Sequence, residues 1–377
     1  MAPVDLSPDH HPNPPISGED DLAWLRLLRS RRVGISTFFR LMNDHGSAVA
    51  ALAALPGIAR EAGIDSYEVC PEGVARAELR AARAAKAKFI RWDSPTYPDL
   101  LREISDPPPF LWAIGRTELL AKTGKIALVG ARNASSLGTR MTSTLATALG
   151  AENRIIVSGL ARGIDTSAHT ASLETGTVAV VAGGVDVCYP AENTNLYDAI
   201  CHKGLILSEQ PMGLQPQARH FPKRNRIISG LSEAVVVIEA AAKSGSLITA
   251  RSALDQGRDV LAVPGHPFDA RAAGCNILIR DGARLVRGVS DVLETASHQL
   301  AASDKLPLPD PTPPKRTLRQ TADLHSQILS RLGPSPMAED QLIRDLAGPS
   351  ETITPALLDL ELDGKVQRHP GGLLSRN

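Results

Sequence analysis

Seven short apolar runs, separated by stretches with helical spacing, constrain the fold of this chain more than any other feature. Apolar residues within each run are nearly continuous instead of alternating with polar ones, which is typical of strands buried on both faces. Such strands in alternation with helices predict a doubly wound, mostly parallel α/β sheet. The runs are Lys125–Gly130, Arg154–Gly159, Thr177–Gly184, Leu205–Glu209, Glu233–Ala240, Asp259–Gly265 and Ala283–Val286.

The segments before the predicted sheet region, which spans residues 91–299, differ from it in character. Residues 1–18 are rich in Pro, Asp and His and predict a disordered lead. Apolar residues recur at helical spacing over 19–90, which predicts a small helical domain. Its Leu55–Ile58 stretch (LPGI) predicts either a helix-hairpin-helix turn or a plain helix-packing turn.

The last part of the chain follows a segment dense in Pro and small polar residues, 300–318, which predicts an extended linker. Residues 319–377 then show three stretches with helical spacing and a terminal hairpin around Gly371–Gly372. This order predicts a small winged-helix domain, and a generic three-helix docking module is the alternative. A winged helix reads duplex DNA in some proteins and contacts other proteins in others.

Two loops that follow consecutive strands have residues suited to holding phosphate. Gly130 is followed by Arg132, and Gly159 by Gly163, each just before a predicted helix. Glycine permits close approach of the backbone, a helix N-terminus favours an anion, and arginine adds a charge-assisted bond. Neither G-x-x-x-x-G-K-[ST] nor G-x-G-x-x-G is present, so the sequence disfavours a P-loop nucleoside triphosphatase and a dinucleotide cofactor. No cofactor is expected.

The densest basic segment is Arg219–Arg226, with four cationic side chains, a histidine and one aromatic residue, Phe221. The chain has 41 Lys and Arg against 41 Asp and Glu, so any binding of nucleic acid needs a local patch of this kind. We expect Pro222 to keep the preceding backbone extended. Cations that follow a phosphate backbone, with an aromatic ring for a base, are typical of single-strand binding. The alternative is a solvated basic turn with Phe221 in the core.

Residues for catalysis or metal binding form no recognisable set. Asp165 and His169 are four residues apart on one predicted helix face, and we interpret them as a structural hydrogen-bonding pair, with an acid/base pair as the alternative. No histidine pair has a third metal ligand, and no G-x-S-x-G is present. Four scattered cysteines and a start without an apolar leader predict a reduced, cytoplasmic protein. No apolar run approaches the roughly 20 residues of a membrane helix.

Nine motifs in this order resemble the DNA-processing protein A (DprA/Smf) family, over about half of the chain. The string Phe221–Ser232 (FPKRNRIISGLS) is the most specific of them, whereas Ala131 stands where the family often has Ser. The motifs are Tyr97–Leu101, Val129–Arg132, Ser158–His169, Gly183–Pro190, Leu207–Glu209, Phe221–Ser232, Glu239, Ser244–Ala250 and Val263–Gly265.

The resemblance implies a recombination mediator that binds and protects incoming single-stranded DNA during natural transformation. It implies loading of the RecA recombinase, displacement of single-strand-binding protein, a homodimer formed through the Rossmann-like central domain, and no established catalytic reaction. It also implies that the first domain is similar to a sterile-alpha-motif domain and the last to a winged helix. Asp165 and His169 would hold the binding loop. Contact with DNA or phosphate is transferred by motif to Gly130, Arg132, Ser158, Gly159, Gly163, Phe221, Lys223, Arg224, Asn225, Arg226, Ser244, Gly245 and Ser246.

Two other functions remain open at this point. Rossmann-like phosphoribohydrolases, which cleave nucleoside monophosphates, have a P-G-G-x-G-T-x-x-E stretch. The comparable loop here, Ser244–Thr249, is followed by Arg251 and no Glu, which disfavours this enzyme. In the second alternative the winged helix has its own partner and the middle domain is mainly a dimer scaffold.

Overall fold

The computed structural model describes residues 18–302, 318–333, 335–346, 353–354, 356–357, 360–361, 363–369 and 373–376. The chain divides into two compact units, one before and one after residue 304. Residues 1–17 of the predicted disordered lead and residues 303–317 of the predicted linker lie outside the described residues. The prediction of a linker is wrong at 300–302 and at 318, which belong to helices.

The first unit contains nine strands and twelve α-helices among its described residues. The strands are β1 (Lys88–Arg91), β2 (Phe110–Gly115), β3 (Lys125–Gly130), β4 (Ile155–Ser158), β5 (Thr177–Val180), β6 (Leu205–Ser208), β7 (Ala234–Ile238), β8 (Asp259–Ala262) and β9 (Arg284–Leu285). The helices are α1 (Gly18–Arg29), α2 (Ile35–His45), α3 (Ala48–Glu61), α4 (Glu72–Ala84), α5 (Asp99–Arg102), α6 (Ser136–Ala151), α7 (Ile164–Ser172), α8 (Thr194–Lys203), α9 (His220–Gly230), α10 (Ser246–Asp255), α11 (Ala273–Arg280) and α12 (Val289–Ala302).

The strands form one sheet in the order β1-β2-β6-β5-β4-β3-β7-β8-β9. The seven strands from β6 to β9 in this order are parallel, and they correspond to the seven predicted runs. The chain builds outward from β3 in one direction through β4, β5 and β6, and then in the other through β7, β8 and β9. This reversal confirms the doubly wound, mostly parallel sheet. The antiparallel strands β1 and β2, which extend one edge, were not predicted.

Both faces of the sheet are covered, which explains the continuous apolar character of the strands. One face packs against α9 and α10, where Ile227, Ile228 and Ala250 contact side chains of the strands. The other face packs partly against α6 and α7, through residues such as Leu145 and Ala168. The carboxyl ends of β3, β4, β5, β7 and β8 therefore remain the open edge on which loops can bind a ligand.

The four N-terminal helices pack directly on the sheet. Trp24 and Phe38 of this bundle share one core cluster with Phe110 and Trp112 of β2. The Nε1 group of Trp24 also donates to the carbonyl of Pro109 at 3.2 Å. The helical prediction for this region is confirmed. The predicted turn at Leu55–Ile58 is wrong, because this stretch lies inside the continuous helix α3.

The second unit has a core of its own, built by Ile328, Leu342, Leu357, Val366 and Leu374. Helix α13 (Leu318–Arg331) and helix α14 (Glu339–Leu346) flank β10 (Met337–Ala338). The terminal hairpin consists of β11 (Val366–His369) and β12 (Leu373–Arg376), and the sheet order is β10-β12-β11. Helical residues at 353–354, 356–357 and 360–361 lie where the third helix was predicted. The arrangement is that of a winged helix.

Candidate nucleic-acid interface

A cleft opens at the carboxyl ends of β3, β4 and β5, beside the first turn of α9. Its volume is about 250 Å³. The loops after the three strands form its walls, so the structure brings together the two glycine-rich loops and the basic segment that the sequence had singled out. Residues that line the cleft include Arg132, Gly159, Arg162, Tyr189, Phe221 and Arg224.

Arg224 lies in the wall of the cleft with only 5% of its surface exposed. Its Nη1 group donates to the carbonyl of Val180 at 2.9 Å, whereas its buried Nε group has no hydrogen-bond partner among the described residues. Burial lowers the pKa of Arg224 to about 10, Arg132 acts in the same direction, and Asp165 opposes it. The guanidinium is therefore charged at neutral pH and has unused capacity to donate to an anion.

Gly159 gives Arg224 the space it occupies. A Cβ atom at position 159 would lie 1.5 Å from the Nη1 atom of Arg224, so any other residue would displace the guanidinium. Gly163 has a φ of +77° and its Cβ position is 2.3 Å from the carbonyl oxygen of Ala131. Both glycines are thus required by close packing and backbone conformation.

Arg132 and Phe221 form the mouth of the cleft. The guanidinium of Arg132 is exposed and stacks over the ring of Phe221, with 5.0 Å between its Cζ atom and the ring centroid. The ring of Tyr189, which is 48% exposed, lies 5.9 Å from that of Phe221 at an angle of 54°. A cation and two aromatic rings therefore stand together at the opening, where a phosphate and a base can bind side by side.

Three buried side chains fix the backbone of the 159–161 loop. Asp165 accepts from the N–H groups of Gly159 at 3.1 Å and Ala161 at 3.2 Å. Asn193 donates through Nδ2 to the carbonyl of Leu160 at 2.9 Å. Burial raises the pKa of Asp165, while Arg224 and these backbone bonds act against the shift. The contacts favour the predicted structural role of Asp165.

His169 is the third of these side chains and is held neutral. Its Nε2 atom accepts from the N–H of Leu160 at 3.3 Å, which places the ring proton on Nδ1, 2.7 Å from Oγ1 of Thr177. Complete burial, with the charge of Arg224 nearby, lowers its pKa to about 3. Because both nitrogens are used within the fold, His169 acts as a support of the loop.

The loop after β7 borders α9 on the side away from the cleft mouth. Nδ2 of Asn225 donates to the carbonyl of Gly245 at 3.4 Å, which joins the two elements. The hydroxyl groups of Ser244 and Ser246 lie 2.7 Å apart and bond to each other. Lys223 is exposed on the first turns of α9. Gly130 packs against the carbonyl of Ile238, where a Cβ atom would be only 1.8 Å away, so its role is in strand packing.

The sequence model of the family described as DNA recombination-mediator protein A matches residues 88–297, which is more than half of the chain. The chain belongs to the DprA/Smf family. Two further models of the same family, the DprA-like N-terminal HHH domain and the DprA winged helix domain, match residues 18–81 and 312–372.

Relatives support this membership over most of the chain. Protein Smf of Synechocystis is 36% identical over 313 residues, covering 75% of this chain and 79% of that protein. The DNA processing protein DprA of Bacillus subtilis is 45% identical over 218 residues, covering 57% of this chain and 73% of that protein.

Solved structures are similar as well. The X-ray structure of DprA from Streptococcus pneumoniae superposes with a TM-score of 0.62 and 36% identity, covering 72% of this chain and 97% of that one. A structure that describes the single-stranded DNA binding mode of DprA from Helicobacter pylori superposes with a TM-score of 0.51 and 30% identity. The match covers 54% of this chain and 93% of that one.

In this DprA/Smf chain the basic segment is not the extended strip that the sequence suggested. Pro222 lies in the first turn of α9, where a backbone N–H has no carbonyl partner within the helix, so its absence costs no hydrogen bond. The prediction of extended backbone before Pro222 is therefore wrong. The helix separates the four cations. Lys223 and Arg219 face solvent, whereas Arg224 and Arg226 are buried.

Arg226 and Ser158 differ from their predicted roles in direct binding. Arg226 is 8% exposed and forms ion pairs with Glu209 and Asp106, so its charge is already neutralised inside the fold. The hydroxyl of Ser158 is fully buried and donates to the carbonyl of Leu128 at 2.6 Å. Both side chains stabilise the fold around the cleft and neither is available to a ligand.

Three residues at this edge were missed or left without a role in the sequence analysis. Tyr189 and Asn193 lie in the segment after β5, and the sequence analysis gave neither a role, although the Gly183–Pro190 motif includes Tyr189. Glu239 directly follows β7, and its carboxylate accepts from the N–H of Ser135 at 2.8 Å and from the Ser135 hydroxyl. Its carboxylate therefore occupies the N-terminus of α6, at the point between β3 and β7 where doubly wound sheets commonly bind a cofactor phosphate.

Within the described part of the chain, no group of three or more His, Cys, Asp and Glu side chains is arranged to hold a metal ion. No helix there has the length and apolar character to cross a membrane.

Proposed function

We propose that this chain binds single-stranded DNA in the cleft between the β3, β4 and β5 loops and α9. The observation that carries the proposal is that the guanidinium groups of Arg132 and Arg224 both contact the ring of Phe221. Their Cζ atoms lie 5.0 and 5.9 Å from the ring centroid. Arg132 binds a phosphate at the mouth and Arg224 binds one deeper in the cleft. Phe221 and Tyr189 stack an unpaired base.

Single strands fit this site better than duplex DNA. A base can reach the Phe221 ring and the cleft behind it only when it is unpaired and turned out of a helix. Three arginines, Arg132, Arg162 and Arg224, line the cleft, and Glu192 there forms an ion pair with Arg162 at 3.7 Å. Cationic side chains that follow a phosphate backbone bind it without reading the sequence of bases. Binding is therefore tolerant of sequence. The DprA of Helicobacter pylori, whose structure describes single-stranded DNA binding, supports this ligand.

We extend the proposal to a mediator role in recombination. The bound strand is protected, single-strand-binding protein is displaced, and the RecA recombinase is loaded, with incoming DNA in natural transformation as the substrate. A homodimer is part of this proposal. Membership in a family described as DNA recombination-mediator protein A supports it. No catalytic step is assigned, since Asp165 and His169 are both committed to the loop they hold.

Fluorescence anisotropy with a labelled oligo-dT and a matched duplex tests the binding. We expect preference for the single strand and a log–log salt slope of roughly −0.7 per phosphate neutralised. Arg224→Met, which keeps much of the side-chain volume, should weaken binding to all sequences about equally. Absence of oligo-dT binding at low salt, or an Arg224→Met variant that is folded and binds like the parent, would contradict the assigned site.

A second assay tests the mediator role. RecA filament formation is followed on single strands already coated with single-strand-binding protein, and the chain should accelerate it. If the chain binds the strand without any effect on RecA, the mediator part of the proposal fails and the binding part stands. Incubation with AMP serves as a control for the phosphoribohydrolase alternative, and release of free adenine would favour that enzyme.

A further inference from the structure

The most exposed large apolar side chain among the described residues is Phe268, with 94% of its surface accessible. It lies on the loop between β8 and α11, at the same open edge of the sheet as the cleft. We propose that Phe268 is a second stacking platform, which holds a base of the single strand a few nucleotides away from the cleft. This inference rests on the proposed function.

The loop that carries Phe268 is braced by its own hydrogen bonds. Asn276 donates through Nδ2 to the carbonyl of Gly265 at 3.0 Å, and its Oδ1 accepts from the N–H of the same residue at 3.2 Å. Asp269 accepts from both Nε and Nη2 of Arg271 at 3.1 Å. Because the loop is already ordered, stacking on Phe268 costs little additional backbone entropy.

His266 supports the exposed ring from one side. The two ring centroids are 5.4 Å apart at an angle of 43°, and Nδ1 of His266 accepts from the N–H of Phe268 at 3.3 Å. The aromatic ring is thus fixed in orientation while most of its surface stays open. A base can stack on such a surface without any side chain having to move first.

The position of the loop links it to the cleft. β4 and β8 are separated by three strand spacings, β4-β3-β7-β8, which corresponds to roughly 14 Å at about 4.8 Å per spacing. The N–H of Gly274 donates to the carbonyl of Ala240 at 2.7 Å, so the start of α11, which directly follows the Phe268 loop, packs against the segment after β7. That segment continues to Gly245, which bonds to Asn225 of α9.

Charge along this path suits a phosphate backbone. Lys243 is exposed on the segment between the cleft and the Phe268 loop, where it can contact a phosphate. Arg271 beside the ring is also exposed, but Asp269 balances its charge. The surroundings also argue for a base over a protein partner. Phe268 is the only large apolar side chain of residues 264–272, and its exposed neighbours are His266, Pro267, Ala270 and Arg271. Protein-binding hot spots lie within larger apolar surfaces. One free ring face is sufficient for a nucleobase.

Oligo-dT of increasing length separates the two sites. We expect Phe268→Ala to leave the affinity for the shortest oligonucleotide that binds unchanged, and to lower the affinity for one of about 20 nucleotides by at least fivefold, the lower end of what one base stack contributes. Phe268→Trp should retain the affinity for the long strand. Val74→Ala, which removes another exposed apolar side chain, on α4, is the matched control.

A spectroscopic readout reports the contact directly. Tryptophan fluorescence of the Phe268→Trp variant should be quenched when long oligo-dT binds, well beyond the response of the parent, whose three tryptophans belong to the N-terminal part of the fold. Equal affinity of Phe268→Ala and the parent for the long strand overturns the inference, even though short-strand binding would leave the proposed function intact. So does a Phe268→Ala variant whose oligomeric state changes while its DNA affinity does not.

Discussion

Arg132→Ala is expected to weaken binding of single-stranded DNA by an amount that itself depends on salt. Arg132 is exposed, and no acidic side chain of the described residues forms an ion pair with it. Its removal therefore takes away one phosphate contact and leaves the fold unchanged. The partner of its guanidinium within the protein is the ring of Phe221, 5.0 Å away, which needs no charge to keep its place.

The size of the effect follows from counterion release. For single strands each neutralised phosphate contributes a slope of roughly −0.7 to the dependence of log affinity on log salt. With 1 M salt as the reference, one lost contact costs about fivefold in affinity at 0.1 M and about 25-fold at 0.01 M. Fivefold corresponds to about 1 kcal/mol. The DNA affinity of Arg132→Ala should therefore approach that of the parent as the salt concentration approaches 1 M.

The assay is anisotropy of labelled oligo-dT across a salt series for four proteins. Arg132→Lys keeps the charge and should retain the slope of the parent, with a modest loss from weaker stacking on Phe221. Arg140→Ala removes an equally exposed arginine from α6, outside the residues that line the cleft, and serves as the control.

The reasoning would be refuted if Arg132→Ala lowered affinity by the same factor at every salt concentration. Such a result means that Arg132 contributes by shape or stacking and not by neutralising a phosphate. Equal slopes for Arg132→Ala and Arg140→Ala, both reduced, would show that affinity responds to net charge and not to the cleft.

Three other predictions concern the residues that build the cleft. Gly159→Ala should abolish most DNA binding and cost about 1–3 kcal/mol of stability through overpacking against Arg224. Gly73→Ala on α4, where nothing lies within 4 Å of the added Cβ atom, should do neither, and anisotropy and urea unfolding measure the two effects. Folding lowers the pKa of His169 from about 6.5 to about 3, so its contribution to stability is complete above pH 6.5. Below pH 6.5 the free energy of unfolding should fall by up to about 1.4 kcal/mol per pH unit. A His169→Gln variant, measured by urea unfolding, should lack this pH-dependent component. Arg226→Met should cost about 3–5 kcal/mol because it leaves the buried carboxylate of Glu209 unpaired, and adding Glu209→Met should recover much of the loss; the reverse ranking in thermal melts would refute the role we give this pair.

The sequence predicted the parallel sheet because burial on both faces leaves an unmistakable pattern. The runs around Val235 and Val178 are apolar without interruption, and each is a strand in the structure. Strand β1 was missed as a short edge strand, whereas β2 was not predicted although its residues Phe110–Ala113 are all apolar and buried. In β1, Lys88 is exposed and Ile90 buried, so the run of four residues lacks continuous apolar character.

The sequence predicted which loops form the site, but not which side chains of α9 face it. Glycine-rich loops after parallel strands always meet at one edge, so the meeting of Gly159 with Arg132 follows from topology alone. The side on which each arginine of α9 lies depends on where the helix begins. Since no helix was predicted around Pro222, nothing in the sequence distinguished the buried Arg226 from the exposed Lys223.

Glu239 gives the switch point of this sheet a permanent, covalently attached anion. Because its carboxylate is tethered, a free phosphate has to compete with an effective concentration of at least the millimolar order at the start of α6. Gly138 makes room for that carboxyl group, because a Cβ atom at this position would lie only 2.5 Å from its carbon. A nucleotide phosphate would have to displace this carboxylate in order to bind at the start of α6.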